Sequence, residues 1–141
     1  MKSEMKVVEI GEPGPPDVLR IGTREIPKPR DNEILIKLSA AGVNRPDVIQ
    51  RSGRYDPPPG ASDLPGLEAA GKIVSVGSGV RRWRVDDDVT ALLPGGGYAE
   101  YAVTPAEQAL PILAGLDMVQ AARRTVDTAC DLPQCSHRRR P

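Results

Sequence analysis

Four stretches of this 141-residue chain carry residue types that can do chemistry by themselves. Cys130, Cys135 and His137 form C-x4-C-x-H, soft ligands of the kind that hold zinc. The spacing is not that of a standard zinc site and no fourth ligand is evident, so the segment reads as metal-free. Pro94-Gly95-Gly96-Gly97 has the glycine content of a phosphate-binding turn. Such a turn needs a helix directly after it, so that N–H groups and the helix dipole converge on the anion. Here YAEYAV follows, a strand pattern, and the stretch reads as a flexible loop between strands at the border of a substrate cleft. Asp86-Asp87-Asp88 lacks the further spaced carboxylates and glycine hinge of a calcium site. Arg138-Arg139-Arg140 reads as solvated charge. Neither G-x-G-x-x-G nor G-x-x-x-x-G-K-[ST] occurs in the sequence, so it holds no fingerprint for a nucleotide's phosphates.

The composition sets bounds on what these residues serve. Nineteen basic and nineteen acidic residues cancel, so nothing global points to nucleic acid or an anionic membrane. With no Phe and 3% aromatic residues, the core has to be built from Val, Ile, Leu and Ala. Fourteen Gly and fifteen Pro suit a β-rich, turn-rich domain. No apolar run approaches the ~18 residues of a membrane span. The N-terminus, MKSEMKVVEI, is charged where a signal peptide is apolar, and a cytoplasmic location with reduced thiols is the expectation.

The elements that must position any site read mainly as strands. Residues 5–10, 18–25, 71–76, 89–93 and 98–103 are candidate strands separated by Gly and Pro. EILIKLSA at 33–40 is the clearest, with Ile34, Ile36 and Leu38 on one face and Leu35, Lys37 and Ser39 on the other. Glu12–Pro16 makes a non-helical turn, and 54–64 is a Pro/Gly loop. Pro46 fixes φ where a short helix over 47–51 begins, with Asn44 as its capping side chain. One helical turn at 106–108 and a helix over 116–122 complete the pattern. Short strands at this spacing predict a small sandwich or barrel. On their own, Asn44, Tyr55 and Asp47 read as a helix cap, a loop ring packed on prolines, and a solvated carboxylate.

AAGVNRPD at 40–47 and LPGLEAAGKIVSVGSGV at 64–80 resemble the start of the medium-chain dehydrogenase/reductases, and the resemblance spans about residues 5–122. In the zinc alcohol dehydrogenases of that superfamily a Cys stands at the position of Asn44. A His stands at the position of Leu67, in a Gly-His-Glu triplet that here reads Gly66-Leu67-Glu68. Asn and Leu do not ligate zinc. The chain therefore resembles the zinc-free branch, the quinone oxidoreductases of the zeta-crystallin type. RSGRYDPPPGASDLPGLEAAG and ALLPGGGYAEY are most similar to the p53-inducible members of that branch. The resemblance implies a GroES-like, partly open β-barrel and NADPH-dependent hydride transfer to a quinone or another α,β-unsaturated carbonyl. It also implies that Asn44 and Tyr55 lie near the nicotinamide and the quinone, with Asp47 beside them. An amide N–H and a phenol O–H can stabilise a developing oxyanion without a metal. Glu68 is expected to be a buried or half-buried scaffold carboxylate with a hydrogen-bonded partner. Asp86-Asp87-Asp88 replaces a Gly-Asp turn of the family, at a position where Asp tolerates a positive φ better than most residues.

Beyond Ala122 the text RRTVDTACDLPQCSHRRRP departs from the family, which continues into a Rossmann domain. The expected organisation is a GroES-like catalytic domain over 1–122 and a disordered, unrelated tail over 123–141, as in a frameshifted or truncated product; a genuine tail is the alternative. On this reading the chain lacks the nucleotide-binding unit, binds NADPH weakly and is inactive alone. Intact relatives would form homo-oligomers through that missing domain. The rival reading is a non-enzymatic GroES-like fragment that binds partner subunits or is degraded.

Overall fold

A computed structural model describes residues 2–125. Seven strands form two sheets. β1 (Glu4–Ile10) pairs with β2 (Leu19–Glu25) as an antiparallel ribbon. The second sheet runs β6-β3-β4-β5-β7, from β3 (Glu33–Ala41), β4 (Glu68–Val76), β5 (Asp88–Leu92), β6 (Tyr101–Pro105) and β7 (Ala109–Pro111). All pairings are antiparallel.

Residues 98–100 join the sheets. Val8 N–H donates to the Tyr98 carbonyl and Glu100 N–H to the Lys6 carbonyl, while Leu38 N–H donates to the Glu100 carbonyl. The strand read at 98–103 is thus two pieces: 98–100 runs between β1 and β3, and β6 proper begins at Tyr101. The result is a partly open barrel, mainly β, as the sequence predicts.

Two register shifts between β3 and β4 curve the sheet. They leave Ile34, Ile36 and Ile73 fully buried in a core with Val89, Ala91, Leu93, Ala102 and Ala109. Trp83 closes that core and donates its indole N–H to the Ala106 carbonyl. β4 starts three residues earlier than its β-branched run, because Ala69, Ala70 and Gly71 are buried in the middle of the sheet where larger side chains have no room. β7 is a short edge strand that the sequence reading lacks. A single 3₁₀ turn at Pro16–Val18 follows the first Pro/Gly turn, and another covers Ala106–Gln108.

Two short helices pack on this frame. α1 (Arg45–Arg51) follows β3, with Asn44 at its N-cap position. α2 (Met118–Ala122) is capped by Asp117, whose side chain accepts from Gln120 N–H at 2.7 Å. Ala121 and Ala122 lie against Ala70. The Thr90 hydroxyl sits 3.1 Å from the Ala121 carbonyl and 3.2 Å from that of Ala69, and it meets the Thr125 hydroxyl. Of the tail expected over 123–141, Arg123, Arg124 and Thr125 are described, with Thr125 fully buried, while Cys130, Cys135, His137, Arg138–Arg140 and the rest of 126–141 lie outside the described residues.

Candidate functional site

The site residues converge where β3 ends. The chain leaves β3, passes Gly42 and Asn44 and enters α1, so Asn44 stands between that helix and the start of β4. Its side-chain amide donates to Glu68 Oε1 at 2.8 Å. Its backbone N–H donates to Asp47 Oδ2 at 2.9 Å, closing the first helical turn. Gly42 allows this approach, because a Cβ there would collide with the Glu68 carboxylate.

Both carboxylates are out of water. Glu68 is 2% exposed and Asp47 4%. Glu68 takes the scaffold position expected of it, buried with a hydrogen-bonded partner. The solvated reading of Asp47 is corrected: it is buried because it is the acceptor on which three segments meet. Oδ1 accepts from Gly66 N–H at 3.1 Å, and Oδ2 accepts from Asn44 N–H and from the Tyr98 hydroxyl, the latter at 3.1 Å. A buried carboxylate is tolerable when donors replace its water. Burial and the neighbouring Asp47 charge push the Tyr98 phenol well above its ordinary value, and Arg51 opposes them.

The glycine stretch at 94–97 is not the flexible loop expected. Gly95, Gly96 and Gly97 are buried. Gly96 N–H donates to the Leu64 carbonyl at 2.9 Å, Gly97 N–H to Gly66 at 3.1 Å and Tyr98 N–H to Pro65 at 3.0 Å. Gly66 has φ +106°, and a Cβ on it would lie 2.5 Å from the Gly97 Cα. The glycines are there so that two backbones can touch.

Asn44 and Asp47 are therefore brought together, with Glu68 and Tyr98 added. Tyr55 is half-buried in the 54–64 loop, and its hydroxyl has no hydrogen-bond partner among the described residues. Tyr98 is the participant that sequence reasoning missed. Its partner lies 51 positions away, and in the sequence it is one more residue of an alternating strand. A cavity of about 310 Å³ between β2, β6 and the 54–64 loop is lined by Met5, Leu64 and Tyr101 among others, but not by Asn44, Asp47 or Tyr55. Among the described residues no three His, Cys, Asp or Glu side chains are grouped to hold a metal. No described helix is long and apolar enough to cross a membrane.

The alcohol dehydrogenase GroES-like domain family matches residues 30–114. The chain belongs to that family. With it the chain joins the medium-chain dehydrogenase/reductase superfamily, and quinone oxidoreductases are among the relatives it is similar to. It is 41% identical over 100 residues to a probable quinone oxidoreductase of Schizosaccharomyces pombe, covering 70% of this chain and 30% of that protein. It is 35% identical over 130 residues to the quinone oxidoreductase of Rattus norvegicus, covering 89% of this chain and 40% of that protein. The crystal structure of the human synaptic vesicle membrane protein VAT-1 homolog-like protein superposes with a TM-score of 0.79 at 30% identity. That match covers 86% of this chain and 38% of the other. The GroES-like chain thus spans 30–40% of the length of these relatives.

Proposed function

We propose that this GroES-like domain is the substrate-side half of a zinc-free, NADPH-dependent quinone oxidoreductase acting in the cytoplasm. The observation that carries the reading is Asn44 itself, an amide fixed by a carboxylate where the resemblance places a zinc-ligating Cys. With Leu67 at the His position, the donor set does not fit zinc. NADPH, when bound, supplies the hydride. Asn44 has a second amide hydrogen without a partner among the described residues, and the Tyr55 hydroxyl is likewise unpartnered there. These two donate to the acceptor oxygen of a quinone or α,β-unsaturated carbonyl as charge develops on it, and a solvent proton completes the product. Asp47 serves the nicotinamide end by setting Asn44 in place.

Nothing in the sequence supplies a dinucleotide turn, so affinity for NADPH has to come from a nucleotide-binding unit in cis or in trans. Contacts to one end of a cofactor must overcome an association cost of roughly 4 kcal/mol or more, so residues 1–141 alone bind NADPH at millimolar strength or weaker. The test is to titrate NADPH into this chain, and then into residues 1–122 joined to a relative's nucleotide-binding domain. The joined protein is expected to oxidise NADPH with quinone, and Asn44→Ala or Tyr55→Phe to lower kcat by about 10²-fold. Micromolar binding or turnover by the 141 residues alone overturns the division of labour. A folded joined protein without turnover overturns the activity. It would favour a module that only binds partner subunits.

A further inference from the structure

We propose that Tyr98 is a positioning residue for Asn44, acting through the Asp47 carboxylate. The role assigned to Asn44 above is assumed; the Tyr98 latch is new. The last torsion of an Asp side chain is soft, so one hydrogen bond does not fix the plane of its carboxylate. Here donors on both oxygens fix it. Gly66 N–H holds Oδ1 and the Tyr98 hydroxyl holds Oδ2, so Oδ2 is turned onto Asn44 N–H. Tyr98 is a rigid post for this purpose. Its own N–H is bonded to Pro65, its carbonyl accepts from Val8, and the preceding Gly97 is bonded to Gly66. Asn44 is then held twice, its backbone by Asp47 and its amide by Glu68. Without the phenol, Oδ2 keeps one donor, the carboxylate plane loosens, and the residue at the head of α1 loosens with it.

The measurement is NMR on the 141-residue chain. Tyr98→Phe is expected to speed hydrogen exchange at the Asn44 backbone amide about tenfold and to shift its side-chain NH₂ signals, while the melting midpoint moves by only a few degrees. Tyr101→Phe, a half-buried tyrosine outside the network, leaves both unchanged. Millimolar NADPH is expected to perturb the Asn44 NH₂ signals in the wild type, and to do so less in Tyr98→Phe. No NADPH response at wild-type Asn44, with the exchange effect present, sinks the functional reading and leaves the latch standing. Unchanged Asn44 exchange in folded Tyr98→Phe overturns the latch. Should that variant not fold, ring-carbon titration of the wild type decides. Burial together with the charge and hydrogen bond of Asp47 keeps a latched Tyr98 protonated well past the ordinary phenol value of about 10, and normal titration overturns the latch.

Discussion

Asn44 turns its NH₂ group, not its carbonyl, toward Glu68, with 2.8 Å between Nδ2 and Oε1. A carboxylate only accepts, so this contact sets which way the amide faces. Asn44→Ala removes one donor from a carboxylate 2% exposed and is expected to cost about 1–3 kcal/mol in urea unfolding. Asn44→Asp is expected to cost more at neutral pH, because it sets two carboxylates against each other. Equal losses for the two variants would contradict the assigned orientation.

Gly66→Ala should be among the most damaging single changes. It combines a left-handed backbone with a methyl group 2.5 Å from the Gly97 Cα and 2.7 Å from the Gly97 and Tyr98 nitrogens. Strain and overpacking together predict a loss of about 3 kcal/mol or more. Denaturant midpoints measure it, and a loss below about 1 kcal/mol would mean that the two segments part easily.

Asp86 is the one described non-glycine residue with positive φ, at +77°. Its sequence position, where the family has glycine, anticipates that geometry. Asp86→Gly relieves the strain but frees the unfolded chain, so a change between zero and about +1 kcal/mol in stability is expected. Asp86→Val, β-branched, should lose at least about 1 kcal/mol. Thermal midpoints in the order Gly, Asp, Val check both.

Arg24 bridges Glu9 at 2.6 Å and Asp63 at 2.5 Å, tying β2 to the loop that carries Tyr55. The Arg24 guanidinium holds the Asp63 carboxyl below its usual range. A lowered carboxyl pKa stabilises the fold above the unfolded value, about 3.9, and that contribution fades as pH falls through the lower native value. Asp63 is 70% exposed, so Asp63→Asn is expected to cost less than about 1 kcal/mol at pH 7. The wild-type advantage should shrink in high salt and disappear in acid. An advantage that grows as the pH drops would refute the ion-pair account.

What the sequence discloses depends on how far apart the interacting residues lie. β3 is legible because Ile34, Ile36 and Leu38 recur at every second position among Leu35, Lys37 and Ser39, a signal contained in nine residues. The first half of β4 is not, since Glu68-Ala69-Ala70-Gly71 has low β propensity and is selected by crowding from β3 and β5. Asn44 and Glu68 stand out through the motifs around them. The Tyr98–Asp47 bond leaves no local trace, and neither does the contact of Gly97 with Gly66. Three glycines in a row look permissive in a sequence, whether the fold uses them for freedom or for closeness.

The Gly66–Gly97 contact also decides where this domain can be engineered. A tag, label or grafted peptide at residues 95–97 would split a joint of three main-chain hydrogen bonds and disturb the mount of Tyr98. Gly60 is the better graft point. A Cβ there meets nothing within 4 Å, the residue is exposed, and its φ of +81° suits a linker that itself begins with glycine. Of these two loops, the one with fewer glycines is the one open to insertion.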